Sequence, residues 1–213
     1  MIKLVLTDFD GTLVNKDILD IVCGINGKEE ESIKLNEDFI NGKTDGLISL
    51  KKRIDFLKGI SLEQIKAELD KNNYLTDGTE ELFNYLKNNS IVSVLHSGNI
   101  VPILNYYKNL LNITKIIGST PKIKDNIIDG IDIEAWGDKN FKYNGCKKII
   151  EQFRFTKEEI LAVGDSIADA KVFELAGIKV AINPKGNIEE KADYVVNNMF
   201  EVIDIIELNT GSK

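Results

Sequence analysis

Residues 2–8 (IKLVLTD) are nearly all aliphatic and alternate little, the pattern of a strand covered on both faces in a parallel sheet. Similar runs follow at residues 91–96, 115–117, 160–163 and 179–182, with a shorter one at 194–196, and most are separated by helical periodicity. Strands alternating with helices predict βαβ winding and an α/β fold with a Rossmann-like parallel sheet as its core. A chain of 213 residues suits one such domain with a modest insertion, and it buries a core of useful size without disulfides. Cys23 and Cys146, the only cysteines, lie far apart with no clustered histidine, so buried thiols are expected in preference to a zinc site.

Between the first two strands, residues 16–74 carry helical periods and no convincing strand. Ile18, Ile21, Val22 and Ile25 form one apolar face, Ile33, Phe39 and Ile40 a second, and Leu47, Leu50, Ile54 and Leu57 a third. Ser61 with Gln64 fits a capping box ahead of a fourth helix. A small inserted helical bundle is therefore expected. Farther on, Pro102 marks the first turn of a helix, and residues 122–134 carry the turn signals of a hairpin or flap. Thr156 with Glu159 fits a capped turn before the run at 160–163.

The net charge of -7 argues against tracking of a phosphate backbone, so no nucleic-acid partner is expected. No apolar run approaches the roughly 18 residues of a membrane span. The amino end turns acidic too early for a signal peptide, so the expected location is the cytoplasm, away from membranes. His96 is the only histidine, which leaves acid-base chemistry to carboxylates. The sequence leaves the oligomeric state open.

Asp8-Phe9-Asp10-Gly11-Thr12 closes the first strand. Strand residues two apart share a face, so Asp8 and Asp10 are expected at one site beyond the carboxyl edge, where open parallel sheets bind ligands. Two carboxylates there repel unless a divalent cation joins them, and hard oxygen donors favour Mg²⁺. The plainer reading of this pentapeptide alone is an acidic Asp-Gly turn. Gly164-Asp165-Ser166-Ile167-Ala168-Asp169 repeats the situation at the run from 160, with Asp165 ending the strand and Asp169 over the same side of the next helix. Taken singly, each of those acids reads equally as a helix-start residue. Ser97-Gly98-Asn99 offers a hydroxyl and exposed N–H groups before a helix, a phosphate nest or a plain serine cap. Lys142, ahead of a helix that faces the core with Cys146, Ile149 and Ile150, would balance the acids and hold a phosphate, with Lys139, Lys147 and Lys148 as competing choices.

In chain order, DFDGT, SGN, a lysine and GDSIAD resemble the four motifs of the haloacid dehalogenase superfamily of phosphatases. The resemblance covers most of the chain and extends into the insertion, where DFDGTLVNKD, ING, NGK and SLKKRIDFLK are similar to phosphoserine phosphatases. It makes the inserted bundle a helical cap, expected at residues 16–75 on a core of 1–15 and 76–208 with hinges at 12–16 and 75–78, and the end of the chain at 209–213 is expected to be a frayed tail. It further implies a Mg²⁺-dependent phosphomonoester hydrolase in which Asp8 is the nucleophile and Asp10 the acid and base. Ser97, Gly98 and Lys142 would bind phosphate, Asp8, Asp10, Asp165 and Asp169 would form the metal set, and Asp17 and Arg53 would hold the amine and carboxylate of L-phosphoserine. The chain departs from the family where SGN replaces SGG, where Ala168 replaces an Asn, and where Asp17 replaces a Glu one methylene longer. Such changes admit another small phosphorylated metabolite, such as a sugar phosphate or phosphoethanolamine. Transfer to an acceptor other than water, or a receiver-like phosphorylation switch, are the alternatives in kind.

Overall fold

The computed structural model describes residues 1–131 and 138–210. Six parallel strands form the main sheet: β1 (Leu4–Thr7), β2 (Val92–Ile100), β3 (Lys115–Ser119), β6 (Ile160–Gly164), β7 (Ile178–Ile182) and β8 (Tyr194–Val196). Their spatial order is β3-β2-β1-β6-β7-β8, so the winding reverses direction between β1 and β6. A crevice opens at the carboxyl ends of two strands that diverge in this way, and it is where such sheets place ligands.

The strands are aliphatic on both sides because each side is covered. Val5, Leu95, Leu161, Val163, Val180 and Ile182 pack with α5 (Thr79–Asn88), α6 (Val101–Leu111) and α9 (Met199–Thr210). Leu4, Leu6, Val94, Ala162 and Ala181 pack with Cys146 of α7 (Phe141–Phe153) and with Val172 and Phe173 of α8 (Ala170–Phe173). Both cysteines are buried free thiols, as their isolation in the sequence suggests. Asn209 and Thr210, expected in a frayed tail, instead complete α9, and their side chains bond the carbonyls of Ile205 and Ile206; residues 211–213 lie outside the described residues.

Between β1 and α5 the chain forms α1 (Ile18–Cys23), α2 (Glu29–Ile40), α3 (Gly46–Asp55) and α4 (Leu62–Leu69), the inserted helical cap. The capping box at Ser61 and Gln64 is formed. The face of α2 is not the expected one: Ile33 and Ile40 are exposed, whereas Ser32 is fully buried. The bundle interior at this level is polar, and α2 turns its hydrogen-bonding side towards it.

Two linkers join cap to core as a paired ribbon, with Asn15 N donating to Tyr74 O at 2.9 Å and Thr76 N to Leu13 O at 3.0 Å. A third connection comes from the hairpin of β4 (Pro121–Lys124) and β5 (Ile127–Ile131), the described part of the expected flap; residues 132–134 lie outside the described residues. Gly59 N donates to Ile128 O, Ile128 N to Ile60 O and Leu62 N to Asn126 O, each at 2.9 Å, which extends the hairpin's ladder onto the cap. Among the described residues no helix is long and apolar enough to cross a membrane.

Candidate active site

β1 ends at Thr7, one residue before the first aspartate, so strand alternation does not itself place Asp8 and Asp10. A tight turn does: Thr12 N and Val14 N both donate to Phe9 O at 3.1 Å, and Gly11 N to Val14 O at 2.8 Å. Gly11 has φ of +83°, and a methyl group there would lie 2.2 Å from Asp165 Oδ2, so this position needs glycine for its conformation and its clearance.

Asp8 is buried, and its Oδ1 accepts from Lys142 Nζ at 2.7 Å. The same ammonium lies 3.3 Å from Asp169 Oδ1. Lys142 is the second residue of α7 and not a residue ahead of it, so the helix start carries the cation directly over the acids. Burial opposes its charge, yet Asp8 and Asp169 outweigh that and raise its pKa. Of the competing lysines, Lys139 pairs with Asp45 at 2.5 Å, and Lys147 and Lys148 are exposed.

Asp169 is fully buried and closes a capping box with Ser166. Burial, followed by the charge of Asp8, pushes its carboxyl up to about 7. Asp165 also rises, through burial and then Asp8, while Lys185 opposes the shift from 2.8 Å away. Lys185 was not anticipated; the signal was its place in the Asn183-Pro184-Lys185-Gly186 loop at the carboxyl end of β7, where loops gather around such sites.

Ser97, Gly98 and Asn99 lie inside the final stretch of β2, where residues 96 to 100 span only 117 to 119 on β3. This bulge turns the Ser97 and Asn99 side chains onto Asp10. Ser97 is thus no helix cap; its Oγ accepts from Asn99 N at 2.9 Å and donates to Asp10 Oδ2 at 3.3 Å. A methyl group on Gly98 would meet Leu50 Cδ2 of α3 at 2.7 Å, so the cap rests against this turn of the core. Asp10 Oδ1 accepts from Ile18 N at the start of α1 at 2.8 Å. Burial, then the charges of Asp17 and Asp8, raise the Asp10 carboxyl well above the ordinary range despite that hydrogen bond and Arg53.

Arg53 is buried in the cap, with Nη2 donating to Asp17 Oδ1 at 2.6 Å and to Asp20 Oδ1 at 2.9 Å, and Nε to Ser32 Oγ at 3.0 Å. Asn36 Nδ2 donates to Asp17 Oδ2 at 3.0 Å. The two substrate residues read from the sequence therefore meet each other. Asp20, Ser32 and Asn36 were missed, although Asp20 lies three residues after Asp17 and Ser32 four before Asn36, spacings that share a helix face.

His96 is the only histidine of the chain, and Asp8, His96 and Asp169 offer ligand atoms within 4.8 Å of one another. Its ring is fully buried with neither nitrogen hydrogen-bonded among the described residues, and burial, then Lys142, lowers its pKa to about 3. Asp165 and Asp10 lie outside that group, turned to Lys185 and to the cap respectively. Several buried carboxylates whose neutral forms are favoured make a donor set suited to a divalent cation.

A family model described as haloacid dehalogenase-like hydrolase matches residues 2–177. The phosphoserine phosphatase of Methanocaldococcus jannaschii is 33% identical over 198 residues, covering 91% of this chain and 92% of that protein. The phosphoserine phosphatase of Campylobacter jejuni subsp. doylei is 28% identical over 208 residues, or 97% of this chain and 100% of that one. Among solved structures, a phospho-aspartyl intermediate analogue of phosphoserine phosphatase superposes with a TM-score of 0.83 at 29% identity, covering 96% of this chain and 98% of the other. A substrate-bound phosphoserine phosphatase complex gives 0.84 at 28% identity over the same shares.

Proposed function

Because the chain belongs to the haloacid dehalogenase-like hydrolases and is a phosphatase of the phosphoserine phosphatase kind, we propose that it hydrolyses L-phosphoserine through an aspartyl phosphate on Asp8, with Mg²⁺ bound. The observation that carries this reading is the convergence of Asp8, Lys142 and Asp169 at the sheet's switch point, with Asp10 held beside them in surroundings that favour its protonated form.

Asp8 attacks phosphorus, and the ester oxygen leaves as Asp10 gives it a proton. Asp10, now a carboxylate, takes a proton from the water that attacks the phosphoryl group, and the bond to Asp8 breaks. Ser97 Oγ, the Gly98 N–H and Lys142 Nζ hold the phosphoryl oxygens where charge spreads. Asp8, Asp165 and the main-chain oxygen of Asp10, with Asp169 close by, would hold the cation. When bound, Mg²⁺ supplies positive charge that offsets repulsion between carboxylate and phosphoryl oxygens.

Recognition of an amino acid needs a cation for its carboxylate and an anion for its ammonium. Among the described residues the hydrogen bonds of Arg53 use Nε and Nη2, so Nη1 would take a substrate carboxylate. Asp17 would take the ammonium. The names of the relatives support the same substrate. Asp8→Asn is expected to abolish phosphate release by a folded protein. Activity that survives this change, or that persists in excess EDTA, excludes the mechanism.

A further inference from the structure

The side chain of Asn99 is committed at both ends. Its Oδ1 accepts from Ile100 N at 2.9 Å, which fixes the orientation of the amide and turns Nδ2 away. That Nδ2 then reaches Asp10 Oδ1 at 3.4 Å and Oδ2 at 3.3 Å. The residue is buried, 2% exposed, and lies in the β2 bulge, so the amide cannot swing aside without breaking the bulge's own hydrogen bonds.

We propose that Asn99 is a positioning residue for proton transfer by Asp10, its amide fixing the plane of the Asp10 carboxyl group. The inference rests on the role given to Asp10 above and adds a second residue to it.

The two oxygens of Asp10 are held unequally. Oδ1 takes the strong hydrogen bond from Ile18 N, which belongs to the cap, and a longer one from Asn99 Nδ2. Among the described residues Oδ2 has only the longer contacts with Ser97 Oγ and Asn99 Nδ2, both from β2, so Oδ2 is the less firmly held oxygen and is assigned the proton. Were the cap to swing away from the core, Ile18 would go with it, and the amide on β2 would keep the carboxyl plane directed at the reacting phosphorus. The transfers balance: the Oδ2 proton passes to the ester oxygen as its bond to phosphorus breaks. Oδ2 then regains a proton from water as the water oxygen bonds to phosphorus and the bond to Asp8 Oδ breaks.

A misaligned acid harms a leaving group that needs a proton and spares one that does not. The Mg²⁺-loaded enzyme, with Asn99→Leu and Asn99→Gly as variants, would be followed in single turnovers of O-phospho-L-serine and glycerol 2-phosphate, each against p-nitrophenyl phosphate, whose phenolate leaves unaided. In both variants the ratio of alkyl to aryl cleavage rates is expected to fall about tenfold or more, towards the range general acids supply, with the loss in kcat and not in KM. Two variants of opposite bulk separate this effect from a packing defect.

Asp10→Asn, run alongside, separates the two levels of the account. If Asp10→Asn shows the leaving-group-selective loss and neither Asn99 variant does, the positioning role is wrong and the proposed mechanism stands. If Asp10→Asn shows no such selectivity, the acid role fails, and this inference fails with it. Equal losses on alkyl and aryl substrates in the Asn99 variants overturn the positioning role.

Discussion

A methyl group at position 11 would sit 2.2 Å from Asp165 Oδ2 and 2.6 Å from Lys185 Nζ, on a backbone with φ of +83°. Gly11→Ala is therefore expected to cost about 1 kcal/mol through the left-handed conformation alone. By displacing Asp165 it is also expected to weaken Mg²⁺ binding about tenfold to a hundredfold, the range seen when support around a metal ligand is lost. Calorimetric titration of metal into the two proteins checks this, and equal affinity would show that Asp165 is not a ligand. His96 gives a second test through its lowered pKa of about 3, against an ordinary value of 6.5. The unfolded chain takes up this proton below pH 6.5 and the folded chain does not until near pH 3, so acid destabilises the fold across that window. The raised carboxyls of Asp10 and Asp169 act in the opposite direction, because the folded state protonates them first. Comparison with His96→Leu isolates the histidine: without metal, the stability of wild type relative to the variant should fall by roughly 1 to 2 kcal/mol between pH 6.5 and 5 in urea titrations. A constant difference would contradict a buried neutral imidazole. At this scale the acids were legible because DFDGT and GDSIAD are contiguous in sequence. His96, Asp20 and Lys185 were not, since each acquires its partners only when separate elements are brought together.

Elements whose signals are local were read well. The capping boxes at Ser61 and Thr156 form, and Pro102 lies in the first turn of α6. Helix α2 was misread because the partner of Ser32 is Arg53, 21 residues away, and a periodicity count scores the serine as outward and Ile33 as inward. The bulge in β2 was equally hidden, since it shows only in register with β3. The hairpin was legible from its turn residues, but its attachment to the cap was not. Because Gly59, Leu62 and Ile128 donate amides across that junction, the hairpin should move with the cap as one unit. Hydrogen exchange with beryllofluoride and Mg²⁺ is expected to protect α1 to α4, the linkers and these three amides together. Protection of the cap with no change at Ile128 would show instead that the cap slides past the hairpin.

At the scale of the molecule, the order of aliphatic strands and helical segments carried enough information for the α/β class and the inserted cap, because each strand had to be covered on both faces. The sequence could not supply the closeness of cap and core. Asp10 of the core accepts from Ile18 of the cap, and Leu50 of the cap rests on Gly98 of the core, so the site is complete only with both parts in place. Arg53 is paired there with Asp17 and Asp20, and among the described residues its Nη1 makes no hydrogen bond; under the proposed function that donor would take the carboxylate of a zwitterionic phosphate ester, which a sugar phosphate lacks. The most direct measurement is phosphate release by the Mg²⁺-loaded protein from a panel of phosphorylated metabolites, ranked by kcat/KM. O-phospho-L-serine is expected at the head of that ranking, by tens to thousands over esters that lack its carboxylate, for an interaction of about 2 to 5 kcal/mol. A sugar phosphate or phosphoethanolamine ranked well above phosphoserine would contradict the account and return Asp17 and Arg53 to a purely structural role in the cap.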